Sequence, residues 1–213
     1  MRARPHQLKC LIVLGMHRSG TSCLTGTLEQ CGVKLGEVFK ANPHNKKGNR
    51  ESATIQALNN DVLETNGGAW DYPVHVTQWT IEQSRRRDEI LNELRSGYGI
   101  WWGFKDPRVL LTLPFWLEAI DDPRFIGTYR HPHHVALSLQ ARNRMSFDES
   151  YKLWLTYNER LVYYIKRFEF QIVDFDLGDS EDLKYSAVKY SRVKNRIIEN
   201  VEAKKPDMFN SFF

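Results

Sequence analysis

Cysteine is scarce in this chain: Cys10, Cys23 and Cys31 are the only three among 213 residues. An odd number with neither disulfide-scaffold nor zinc-knuckle spacing excludes both of those frameworks and predicts reduced, semi-buried thiols in a cytoplasmic protein. Long apolar runs are also missing. After the basic start MRARPHQLK, the hydrophobic stretch Cys10 to Leu14 is far too short for a signal peptide or a membrane span. The expectation is therefore a soluble, untargeted chain. Charge of one sign is in small excess: the net charge of +4 suits an anionic ligand but does not argue for nucleic acid. The basic clusters Lys46-Lys47 and Arg85-Arg86-Arg87 are short, and the second reads as a solvated helix face. Internal repeats and low-complexity tracts are absent as well.

What remains is an ordinary globular composition, 41% hydrophobic and 26% charged, long enough for one well-cored domain. Six Trp within a 12% aromatic share suit either a cleft or a Trp-rich core. KCLIVLG (9–15) is a continuous apolar run ending in Gly, as expected of a strand buried on both faces of a parallel sheet. Helical spacing follows from Thr21 to Cys31, over 51–67 and from about 77 to 96. Further strands are expected at 100–104, 124–130 and 170–176. Helices are expected at 108–120, interrupted by Pro114, from Pro132 onward, and from a cap at Asp148 to about Phe168. This alternation predicts an α/β fold of three layers, a mostly parallel central sheet flanked by helices. The whole chain, 1–213, reads as a single domain with a core over about 9–177 and a helical tail over about 178–213.

The loop GMHRSGTS, Gly15 to Ser22, lies between the first strand and the first helix. A glycine-containing loop there turns backbone N–H groups toward an anion, and the helix dipole adds to the attraction. Gly15 and Gly20 have the spacing of a Walker A motif, yet Thr21 and Ser22 follow where a lysine is required. Without that lysine to span β- and γ-phosphates, ATP chemistry is disfavoured. The cation stands earlier, at Arg18, and a donor with one 5′-phosphate matches that arrangement.

HRSGTS after a buried strand resembles the 5′-phosphosulfate loop of sulfotransferases that use 3′-phosphoadenosine 5′-phosphosulfate (PAPS). The style is closest to the tyrosylprotein sulfotransferases, which use a carboxylate base. A second signature of that family is an Arg ending a strand with a Ser eight residues on, and YRHPHHVALSL places Arg130 and Ser138 there. The resemblance covers 9 to about 177 and implies a P-loop-like sulfotransferase architecture. It implies PAPS as donor, bound by His17, Arg18, Ser19, Gly20, Thr21 and Ser22 at the 5′ end and by Arg130 and Ser138 at the 3′-phosphate, with no metal required.

NPHNKKGNRES (42–52) resembles the loop that carries the family's base, which implies that role for Glu51; the alternative is an ordinary first-turn helix residue. WGFKDPR (102–108) resembles a segment whose lysine stabilises the leaving group, implying Lys105 with Arg18 as catalytic cations; a plain turn set by Pro107 is the alternative. Asp106 and Arg108 would position that loop or touch substrate. His17 is a second candidate base. His131, His133 and His134 lack metal-ligand spacing. The family's late Arg-Lys-Gly segment has no match in the tail. The acceptor is a glycan, a peptide or a small molecule, and no nucleic-acid partner is expected. A small-molecule kinase on a degenerate phosphate loop and a non-catalytic nucleotide-binding protein are the competing readings.

Overall fold

The structure is a computed structural model that describes residues 8–39, 48–96 and 99–177. The expected helical tail and the Lys46-Lys47 cluster lie outside these residues.

Four strands form the sheet: β1 (Lys9–Leu14), β2 (Trp101–Lys105), β3 (Arg124–Tyr129) and β4 (Gln171–Asp174). Their order is β2-β1-β3-β4 and every pairing is parallel. Adjacent strand residues face opposite sides, so the burial of Ile12, Val13 and Leu14 in succession means that both faces are covered. Helix α1 (Thr21–Gln30) lies across β1, β2 and β3. Helices α2 (Ala53–Thr65), α3 (Ile81–Arg95), α4 (Val109–Leu117) and α6 (Phe147–Phe168) pack on one another in pairs, and α5 (Pro132–Asn143) packs on α6. The α/β class, with a parallel central sheet flanked by helices, follows. Among the described residues no helix is long and apolar enough to cross a membrane.

The register brings the strand ends together, with Val13 opposite both Lys105 and Ile126. From β1 the chain moves to β2 on one side and then to β3 on the other. The carboxyl edge beyond β1 is thus a topological switch point, where open α/β sheets build their sites.

Local details depart from expectation at several points. Pro114 lies inside α4 rather than interrupting it. The helix forgoes one backbone bond there, and the complete burial of Leu110, Leu111, Leu113, Phe115 and Trp116 holds it in place. The cap of α6 is Ser146, in a capping box with Glu149, not Asp148. β4 ends at Asp174, whose carboxylate accepts the Asp176 N–H at 3.1 Å and draws 175–177 into a tight turn. The Arg85–Arg87 face is only partly solvated. Arg85 pairs with Glu82 and Glu89, and Arg86 with Asp61. Arg87 is buried, stacks on Phe115 and donates to the Phe115 carbonyl at 2.8 Å, stitching α3 to α4. The cysteines differ as well: Cys10 is buried, with its thiol pushed up to about 12 by burial, while Cys23 and Cys31 are exposed.

Candidate donor-binding and transfer site

The β1–α1 loop turns sharply because Arg18 (φ 66°) and Gly20 (φ 87°) both adopt left-handed backbone. Arg18 tolerates this at a cost, held by a hydrogen bond from Arg130 Nη1 to its carbonyl at 3.2 Å. Gly20 has no freedom to change, since a Cβ there would lie 2.1 Å from the Phe175 ring. Ser19 faces inward: its hydroxyl donates to the Met16 carbonyl at 2.6 Å and lies 3.0 Å from Thr128 Oγ1, so it braces the loop. No side chain caps α1, which leaves the first-turn amides of Thr21 and Ser22 to an outside acceptor. They open onto a cleft of about 360 Å³ whose lining includes Arg18, Arg50, Arg130 and Phe175 and, among the described residues, no carboxylate.

Behind Ser22 lies a buried charged group on the end of β2. Lys105 Nζ donates to Glu51 Oε1 at 2.7 Å and to Ser22 Oγ at 3.2 Å. Glu51 is not a first-turn helix residue. It lies just ahead of Ser52, the N-cap of α2, and its carbonyl accepts the Phe39 N–H at 2.8 Å. Burial lowers the Lys105 pKa, opposed by the adjacent Glu51 carboxylate. Asp106 and Arg108 pair through two oxygens, at 3.2 and 3.0 Å, and the Arg108 N–H also donates to Asp106. That closure positions the turn into α4. Burial raises Asp106, with Arg108 opposing.

His17 packs against Trp70 (ring centroids 4.8 Å apart) and Tyr157 (5.9 Å), and its buried Nε2 has no hydrogen-bond partner among the described residues. Burial, and then the cations Arg108, Lys105, Arg142 and Arg18, hold it well below its ordinary value of 6.5. It is neutral in the folded protein. A depressed folded pKa contributes stability above the unfolded value, and that stability is lost as pH falls below it. Between pH 6.5 and the folded pKa, His17 should add about 1.4 kcal/mol per pH unit to the slope of stability. Urea titrations of wild type and His17→Asn should differ by that one-proton slope; parallel curves would mean that His17 titrates normally.

On the other flank, Arg18 Nε donates to Ser138 Oγ at 2.7 Å, so Arg18 groups with Ser138 and Arg130 rather than with Lys105. Arg130 also pairs with Asp176 at 3.1 Å. Asp176 accepts the His131 N–H at 2.6 Å and pairs with His134 Nδ1 at 2.8 Å, so these histidines serve the junction of β4 and α5.

The fold therefore gathers the sequence-derived residues into two neighbouring groups along one edge. Glu51, Lys105 and Ser22 form one; Arg18, Arg130 and Ser138 form the other. Asp176, Arg142, Trp70 and Tyr157 were not anticipated from sequence. Arg142 had a signal, four residues beyond Ser138 on a helix. Asp176 had none, because it acts through a turn inside an expected strand.

No protein-family model matches the chain, and no curated protein shows significant similarity to it. Among solved structures, it is similar to a sulfotransferase domain from the curacin biosynthetic pathway, with 13% identity and a TM-score of 0.44, over 95% of this chain and 76% of that one. It is also similar to dephospho-CoA kinase from Campylobacter jejuni, with 12% identity and a TM-score of 0.34, over 92% of this chain and 98% of that one. Neither likeness carries the functional reading, which rests on the site itself.

Proposed function

We propose that this protein is a PAPS-dependent sulfotransferase that moves a sulfuryl group to a hydroxyl or amine acceptor. The observation that carries the reading is the Lys105 ammonium, held between Ser22 Oγ and the Glu51 carboxylate. Ser22 stands where a Walker A motif puts its metal-binding hydroxyl. Here that hydroxyl already faces a buried fixed cation, and a divalent ion brought with a polyphosphate would meet like charge. A donor with a single 5′-phosphate needs one cation at the leaving oxygen, and Lys105 supplies it beside a base.

The acceptor oxygen or nitrogen attacks sulfur, forming the new S–O or S–N bond as the S–O bond to the 5′-phosphate breaks. Glu51 takes the acceptor proton. Lys105 and the loop amides balance charge on the departing phosphate. Arg130, Ser138 and Arg18 hold the 3′-phosphate and so select PAPS over ATP. The acceptor is a glycan, peptide or small molecule reached in the cytoplasm, and nucleic acid is not a partner.

Calorimetry tests the donor. The desulfated donor, 3′,5′-adenosine diphosphate, should bind ten- to a hundredfold or so more tightly than 5′-AMP or ATP, the worth of one or two charge-assisted hydrogen bonds. Arg130→Ala should remove that preference. Equal affinities in the wild-type protein would end the PAPS reading, and ATP binding tightest with Mg²⁺ would favour a kinase.

A further inference from the structure

Beyond β2 the sheet is extended by a single parallel bridge. Lys34 lies beside Trp102, its N–H donating to the Trp101 carbonyl at 3.0 Å and its carbonyl accepting the Gly103 N–H at 2.9 Å. The pairing stops there. Gly36 adopts left-handed backbone (φ 68°), and the next main-chain bond is that of Phe39, whose N–H donates to the Glu51 carbonyl. In between, residues 35–38 form no main-chain hydrogen bond among the described residues. An unpaired edge of this kind can take up a further extended chain.

Beside this segment lies a groove of about 300 Å³, walled by the start of α2 and the end of α3. Its apolar lining is Leu35, Val38, Phe39, Ile55, Ile90 and Leu94. Leu35, Ile55 and Leu94 are buried, whereas Phe39 is 41% exposed. A Cβ at residue 36 would lie 2.8 Å from Leu94 Cδ2, so glycine lets the segment run this close to α3. The two charged lining residues are both acidic, Glu37 from the segment and Glu93 from α3. Both are exposed, and neither carboxylate has a partner among the described residues. The donor cleft is the reverse: three guanidinium groups line it, no carboxylate does, and the two sites share no lining residue. An apolar groove edged by unpaired carboxylates suits a ligand with an apolar body and a positive charge. The unpaired main chain alongside makes that ligand a polypeptide.

We infer that this groove docks an extended polypeptide segment that presents a bulky apolar residue next to an arginine or lysine. The apolar side chain fills the groove, the basic one pairs with Glu37 and Glu93, and the main chain pairs with residues 35–38. This surface is distinct from the donor cleft, so the inference goes beyond the sulfotransferase reading and does not depend on it.

The probe is a phage-displayed library of random heptapeptides, selected on the wild-type protein after depletion on the double variant Glu37→Lys/Glu93→Lys. Both side chains are exposed and unpaired, so the variant should melt with the wild type. Selected peptides should share an apolar residue adjacent to Arg or Lys. The most enriched one, synthesised with a fluorescent label, should bind the wild type in an anisotropy titration. On the double variant it should lose about tenfold or more in affinity. Replacing its apolar residue by Ser should cost a similar factor. N-methylation of its backbone should also weaken binding, because main-chain donors are then lost. Selected peptides without the basic and apolar pair, or equal affinity for the two proteins, would overturn the inference. So would n-octylamine competing as well as the peptide itself, since the groove would then be an amine site. No step uses a nucleotide, so failure here would leave the sulfotransferase reading standing.

Discussion

Lys105→Met is expected to destabilise the protein by about 3–5 kcal/mol, the usual penalty for removing one partner of a buried ion pair. The side chain of Lys105 is fully enclosed and that of Glu51 is 11% exposed, so water cannot take over the contact. Removing the ammonium leaves the Glu51 carboxylate facing Asp106, whose own ionisation Glu51 already opposes. Glu51→Gln in the Lys105→Met background should therefore restore much of the loss, because no unpaired charge is then left inside. The pH dependence has a definite sign. Carboxylates raised in the folded state are least costly below their unfolded pKa, so the Lys105→Met penalty should shrink as pH is lowered. Urea denaturation of the single and double variants at neutral and acidic pH would measure both effects. Sulfuryl transfer should fall ~10²–10³-fold in Lys105→Met, as when a preorganised donor to a leaving oxyanion is lost. A variant with near-wild-type stability would mean that Lys105 and Glu51 do not form a buried ion pair, and the pairing of base and cation would have to be abandoned.

Much of this site is legible in the sequence because its parts lie where local rules are strong. KCLIVLG can only be a strand covered on both faces, and a glycine loop ahead of a helix then fixes where an anion must sit. Arg130 and Ser138 are eight residues apart across a strand end and the second turn of a helix that Pro132 starts, so their convergence follows from regular geometry. The meeting of Glu51 and Lys105, 54 residues apart, depends on a tertiary contact between the segment leading into α2 and the end of β2, and residue chemistry alone did not place them on one another. The destination of Arg18 was less accessible still. Its side chain is directed by a left-handed backbone that an arginine seldom adopts, and this swings it to Ser138 rather than to the β2 end. Arg87 illustrates the opposite failure: three consecutive arginines read as a solvated face, yet successive helical positions point 100° apart and one of them must turn inward. Asp176 escaped because its own N–H prefers a neighbouring carboxylate to the sheet ladder.

Glu51→Gln should lower turnover by ~10²–10⁴-fold, the range for loss of a general base, while the affinity for 3′,5′-adenosine diphosphate stays almost unchanged. The second half follows from the grouping of residues: the cations around Ser138 hold the donor, and Glu51 is not among them. The substitution keeps an oxygen that can accept from Lys105 Nζ, and the backbone of residue 51 remains held by Phe39, so the local frame should survive. A slow variant alone would not separate base from scaffold, because Glu51 also balances the charge of Lys105. Acceptor acidity does separate them. A base matters most when the acceptor holds its proton tightly, so the loss should be large for an unsubstituted phenol and small for a nitrophenol. A purely positional role would slow both equally, and would show in both kcat and kcat/KM. If Glu51→Gln keeps most of its activity with the unsubstituted phenol, the proton goes elsewhere. His17, the second candidate base, is then the next residue to substitute, although burial and the cations around it oppose its protonation.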